Sequence, residues 1–230
     1  MIALLLGLAL ADSPLTTPEY HLVYAEHPMV ATAAEGGVID DELFEFLVRG
    51  KRGMDLKAAV VNALSWNIDG QDNATAFLHA LAKRKDRPAA ELLAFPTLIE
   101  PHEAFVYGYL LAMDDYFEPS AALPWLAQAR EQLPKSKTVA LIESLVVAQI
   151  ALEGDWCAVY TGVDAVFEAP KLRPDMKFAA ETVIRDYINL YEDSCPTEEE
   201  LALEQERLEQ EEAALQAQQE QPKRKRRGKR

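Results

Sequence analysis

From Asp40 onward, stretches with apolar residues at steps of three and four alternate with short breaks rich in Gly, Pro, Asn and Asp, as in successive amphipathic helices. Asp40 is placed to cap a helix running to Arg49, with Leu43, Phe44, Leu47 and Val48 on one stripe and Gly50 at its end. Segment 54–66 sets Leu56, Ala59, Val60, Ala63 and Leu64 on one face. Residues 67–72 (NIDGQD) form a turn in which Gly70 is free to take positive φ and Asp72 caps the next segment, 73–85. Pro88 opens a short helix that stops before Pro96. Segments 102–116, 121–133, 137–152 and 156–167 follow, with Ser120 and Asp155 as caps and Pro134 and Gly154 as stops. Segment 137–152 is apolar nearly all round and is expected to be the most enclosed helix. Pro174 and Asp175 open a helix over 175–193. No strand-period segment exceeds a few residues, and short breaks make neighbouring helices antiparallel. The expected class is all-α: stacked antiparallel helical hairpins, as an α-solenoid or an irregular bundle.

The hairpin starts at 102 and 137 lie 35 residues apart, a spacing found among helical repeats. Gly108 and Tyr109 in the first helix, Ala122 and Ala129 in the second, and Pro134 at its end resemble a degenerate tetratricopeptide repeat over about residues 100–167. The next unit offers Leu141, Gly154 and Trp156. The interval from Gly108 to Ala122 is two residues longer than the family pattern, and Val159 stands where the second unit would have its alanine. The resemblance implies a concave surface that binds a peptide or a partner protein rather than a catalytic centre.

The two ends read differently from this body. Residues 1–11 (MIALLLGLALA) carry no charge and end in a small-x-small triplet, like an export signal, and they are too short to span a bilayer. No Lys or Arg precedes the run, so a structural N-terminal helix and an uncleaved anchor are the other readings. From Asp12 to Ile39, Pro14, Pro18, Pro28 and the Gly36-Gly37 pair break any period, and the stretch reads as an irregular leader. Thr197 and Glu200 form a capping box at the head of an acidic helix over 196–221. There Leu201, Leu208 and Leu215 recur every seven residues, but the second seam positions are Glu204, Glu211 and Gln218, which a two-stranded coiled coil would have to bury. Residues 222–230 read as a disordered basic tail. The organisation is therefore 1–11 signal-like segment, 12–39 leader, 40–195 helical hairpin domain, 196–221 acidic helix and 222–230 tail.

Charge sharpens that division. The net charge is −15, with 38 acids against 23 bases, but the tail carries seven bases and no acid: Lys223, Arg224, Lys225, Arg226, Arg227, Lys229 and Arg230. An acidic body repels phosphate backbones, so an anionic polymer, lipid headgroup or nucleic acid is expected to meet the tail. Apolar content of 49%, 10 glycines, 13 prolines and two cysteines exclude a collagen, a polytopic membrane protein, a disulfide-stapled miniprotein and a fully disordered chain.

The sequence carries few chemistry-bearing patterns. The four histidines, His21, His27, His79 and His102, form no HExxH and no i, i+4 pair, and there is no CxxC, so no metal site and no cofactor is expected. His79 lies away from its helix's apolar stripe and reads as solvated. An EF-hand count from Asn67 reaches Leu78 where a bidentate Glu is required. GxSxG, Walker and dinucleotide glycine patterns are absent. Glu143 is the one candidate acid, expected to face solvent, to pair with a base such as Arg130 or Arg185, or to be protonated. Cys157 and Cys195 can form a disulfide if the chain is exported, or remain packed thiols.

The sequence thus points to a bacterial, non-catalytic protein- or peptide-binding helical-repeat protein, periplasmic or secreted, whose partner is unidentified and whose tail contacts anionic polymers or lipids. A cytoplasmic adaptor with a nucleic-acid-binding tail is the alternative. An enzyme with a pocket near Glu143 or His102 is a further one.

Overall fold

A computed structural model describes residues 13–220. Among them there are eleven α-helices and no strand, with a single isolated bridge between Ser136 and Arg173. The signal-like segment and the basic tail lie outside the described residues. The chain divides into two compact units, one ending at Glu192 and the other starting at Asp193.

In the first unit the helices are α1 (Pro28–Gly36), α2 (Asp41–Leu47), α3 (Met54–Ala63), α4 (Asn73–Lys85), α5 (Ala89–Ala94), α6 (Pro101–Asp114), α7 (Leu123–Gln132), α8 (Lys137–Ala151), α9 (Trp156–Phe167) and α10 (Phe178–Ile188). Helices α6 and α7 form one hairpin and α8 and α9 the next, with α7 packed on α8 and α9 on α10. The central element is α6, which packs against α3, α4 and α7, and every residue from Glu103 to Leu110 is buried. This corrects the expectation for 137–152, since α8 leaves Val147 and Ile150 exposed.

The hairpin of α6 and α7 depends on Gly108. A Cβ there would stand 3.0 Å from Leu126 Cγ and from Trp125 Cβ, and 3.2 Å from the Ala122 carbonyl, so the absence of a side chain sets how closely the two helices approach. Backbone cannot yield as a flexible side chain does. Gly108→Val is therefore expected to lower unfolding stability by about 1–3 kcal/mol through overpacking, read from urea denaturation midpoints at unchanged m-value.

The leader is not irregular. Proline has no N–H to lose at the first helical position, so Pro28 opens α1 instead of breaking it, and Gly37 ends that helix at φ 65°. Upstream, Tyr20–Tyr24 form a 3-10 turn packed on α3 and α10. There the Tyr20 hydroxyl donates to the Ala58 carbonyl at 3.1 Å, and the Lys177 amide donates to the Tyr24 hydroxyl at 2.9 Å. Both tyrosines are buried, so the leader is a strap completing the core.

Local caps hold where the acceptor is adjacent. Asp40 accepts from the Leu43 amide at 2.8 Å and Asp155 from the Ala158 amide at 2.9 Å. Others come from afar. Asp72 makes no cap bond; Asp114, at the end of α6, instead accepts from the Ala74 amide at 2.6 Å. Asp175 does not open a helix either: it accepts from the Thr138 amide at 2.8 Å in the first turn of α8, and α10 begins only at Phe178. Ser120 sits inside a 3-10 turn, Pro119–Ala122, that leads directly into α7, and α2 ends at Leu47, before Gly50.

In the second unit, α11 spans Glu198–Glu220 behind the expected capping box: the Glu200 amide donates to Thr197 Oγ1 at 3.2 Å and the Thr197 amide donates to Glu200 Oε2 at 2.8 Å. Leu208 and Leu215 are exposed on this helix.

Candidate functional site

Two adjoining concavities lie around the link between α6 and α7. The first, about 270 Å³, runs between the end of α8 and the 3-10 turn, and its walls include Phe117, Pro119, Ile150 and Leu152. Phe117 is 49% exposed and Ile150 39% exposed, and hydrophobic side chains of that size left open to water in a well-packed unit mark a surface that can still bury area. Packing holds the floor in place: Tyr116 is buried, with its ring 4.2 Å from that of Phe117 and 4.7 Å from that of Trp66. Ser13 hydrogen-bonds the Gln149 side chain at the far wall, so the leader contributes to the groove as well as to the core.

The second concavity, about 320 Å³, shares Tyr116 and Phe117 with the first and is bounded by the 67–71 turn, Asp114 and Asp115. Gly70 takes φ 81° there, and the Gln71 amide donates to the Asp114 carbonyl at 3.1 Å, clamping the turn to the end of α6. This cleft is acidic, with Asp69, Asp114 and Asp115 among its lining, while Glu118 and Glu153 stand on the apolar groove. Burial pushes the Asp114 carboxyl up to about 6, against the opposing pull of the Ala74 and Asn73 amides. Together the walls offer an apolar slot beside a patch of negative potential.

The candidates from the sequence lie elsewhere and are not brought together. Glu143 on α8 meets Arg130 of α7 at 3.9 Å, one of the two expected bases, while Arg185 pairs with Asp164 and Glu168. Burial raises the Glu143 carboxyl and the Arg130 guanidinium opposes that rise. His102 is half-buried and donates from Nε2 to the Val48 carbonyl at 2.9 Å. His21 Nδ1 meets Asn62 Oδ1 at 2.8 Å, and His27 Nδ1 accepts the Met29 amide in its own helix cap. His79 is exposed. Among the described residues no group of three or more His, Cys, Asp or Glu is arranged to hold a metal ion. The seven tail cations, Lys223 to Arg230, fall outside the described residues. Cys157 and Cys195 are both disulfide-bonded, and neither is a free thiol.

One buried charge has no counterpart in the sequence reading. Lys57 on α3 is fully buried; its ammonium donates to the Leu47 carbonyl, and burial brings its pKa down to about 7 while Glu103 acts to raise it. Glu103 itself is buried, pairs with Lys85 at 2.9 Å and accepts from the Glu100 amide, so it serves two cations and one helix end.

The residues missed in the sequence are Phe117 and Ile150. Phe117 follows Tyr116 in a break between helices, and an aromatic pair just ahead of Pro119, outside any helical stripe, was the available signal. Among the described residues no helix is long and apolar enough to cross a membrane. No protein-family model, curated protein or solved structure matches the chain.

Proposed function

We propose that the chain is a non-catalytic binding protein whose groove takes a peptide, or a loop of a partner protein, that presents an apolar side chain next to Lys or Arg. The observation that carries this reading is the exposed Phe117, which forms a wall common to the apolar groove and the acidic cleft. The apolar slot supplies burial for one anchor side chain, and Asp69, Asp115, Glu118 and Glu153 favour a cationic flank and disfavour an anionic one. The close approach at Gly108 supports reading α6 and α7 as one repeat-like hairpin.

Export is part of the same proposal. Two disulfide-bonded cysteines suit an oxidising compartment and count against the cytoplasmic alternative. The packed core begins at once in the described chain, with Ser13 and Leu15 buried, so removal of residues 1–11 after Ala11 would leave these contacts in place. Sequencing the N-terminus of the protein purified from its host tests this: a mature chain starting at Asp12 is expected, and a cytosolic chain that retains Met1 refutes export. The basic tail is proposed to contact anionic polymers or lipid surfaces.

The groove is tested with a random peptide library selected against the full chain. Selected peptides are expected to pair an apolar residue with Lys or Arg, and Phe117→Ser is expected to weaken them about tenfold or more by fluorescence polarisation. Selected peptides that bind the Phe117→Ser variant as tightly as the parent protein would place the binding surface elsewhere.

A further inference from the structure

The acidic body carries a cationic concavity of about 530 Å³, lined by Val48, Arg49, Gly50, Lys51, Arg52 and Arg84. The cations are set in place. The link leaving α2 turns tightly, with the Arg49 amide donating to the Phe46 carbonyl at 3.3 Å and the Arg52 amide to the Arg49 carbonyl at 3.2 Å. His102 anchors it through the Val48 carbonyl, and a Cβ on Gly50 would lie 3.2 Å from the imidazole Cε1, so glycine lets the link rest on that ring. Arg52 stands over the Phe46 ring, 5.6 Å from its centroid, and Arg84 is held by Glu45 at 2.7 Å.

Compensation is incomplete here. Glu45 serves Arg84, whereas Arg49, Lys51 and Arg52 are exposed and, among the described residues, have no carboxylate within 4 Å. Glu42 and Glu45 flank the adjoining concavity that shares Arg49 and Arg52. Complementing the end of α2 calls for roughly one cation, not three. The string Arg49-Gly50-Lys51-Arg52 also recurs as Arg227-Gly228-Lys229-Arg230 at the end of the sequence.

We propose that the link Arg49–Arg52, together with Arg84, is a binding site for a phosphate-bearing anion, either a free polyphosphate or the phosphodiester of a lipid headgroup. Guanidinium forks match phosphate oxygens in pairs, and an open concavity admits more than one phosphate group. This site does not rest on the tail reading.

The test uses the full chain with inorganic tripolyphosphate in calorimetry and with phosphatidylglycerol vesicles in sedimentation. In the triple variant Arg49→Gln, Lys51→Gln, Arg52→Gln, affinity is expected to fall about tenfold or more in at least one arm, with a shallower dependence on salt. The arm that responds identifies the source of the phosphate. A charge-matched control, Lys135→Gln, Lys171→Gln, Arg173→Gln, is expected to change affinity less than about twofold. Loop and control variants that bind alike in both arms, or no binding to either probe by the parent chain, would overturn the proposal. A third variant with all seven tail cations changed to Gln tests the tail separately: unchanged binding there would sink the tail reading and leave this site standing.

Discussion

Between pH 7 and 9.5 the protein is expected to become more stable as pH rises, by about 3 kcal/mol, and Lys57→Met is expected to abolish most of that slope. The sign follows from the lysine. Burial lowers its folded-state pKa to about 7 from the ordinary 10.5, so above pH 7 the unfolded chain holds a proton that the folded chain has released. Unfolding then takes up a proton, and raising the pH disfavours it; below pH 7 both states are protonated and the dependence vanishes. Met fills most of the Lys side chain's path, one atom shorter, without its charge, although it leaves the Leu47 carbonyl without that donor, at a cost of about 1–2 kcal/mol. Urea unfolding of both proteins at pH 6.5, 8 and 9.5 separates these effects, because a lost hydrogen bond shifts the variant equally at every pH. Parallel profiles for the two proteins would show that Lys57 does not carry the proton.

Lys57 also marks where the sequence stops being informative. Periodicity locates α4 and α8 because each keeps an apolar face for three turns or more, and Asp40 and Asp155 are readable as caps because each acceptor lies three residues before the amide that it binds. A one-dimensional pattern assigns Lys57 to the polar side of α3, yet the buried residues of that helix run without a break from Lys57 to Ala63. Which side counts as inside is decided by elements far along the chain: the Tyr20–Tyr24 strap lies on α3, as does α6. The strap was illegible for a related reason. Proline and glycine signal interruption, and whether Pro28 breaks a helix or starts one depends on the residues after it more than on its own stiffness. The groove was harder still, since Phe117 comes from the link after α6 and Ile150 and Leu152 from the end of α8, and they meet only after the hairpins have packed. Glu143 shows the opposite case: a carboxylate on an apolar helix had few ways to be accommodated, and pairing with Arg130 was one of those named in advance.

The second large effect is expected at Asp114. Asp114→Asn should stabilise the protein by up to about 3 kcal/mol at pH 7 and by little at pH 4. This carboxyl is 8% exposed; Oδ2 accepts the Ala74 amide, while Oδ1 is buried with no hydrogen-bond partner among the described residues. Burial raises its pKa to about 6 from 3.8, with Asp72 adding to the rise. Between those values the folded chain binds more protons than the unfolded one, so the charge destabilises the fold at neutral pH, and that cost disappears as pH falls from 6 towards 4. Asparagine keeps an oxygen for the Ala74 amide and removes the charge. Asp114→Ala removes both and is expected to lose about 1 kcal/mol at pH 4, where the charge no longer matters. The contrast between the two variants isolates the cap from the ionisation, and differences from the parent protein cancel the general acid sensitivity of a chain with 38 carboxylate side chains. If the Asn variant is weaker than the parent by the same margin at both pH values, the carboxylate is compensated by something other than the two amides, and the acidic cleft is less negative than its lining implies. Peptide selectivity then gives an independent reading: if Asp114 is charged at pH 7, the preference for Lys or Arg flanks should weaken in the Asn variant while Asp69 and Asp115 maintain part of it, whereas a neutral Asp114 should leave the preference unchanged.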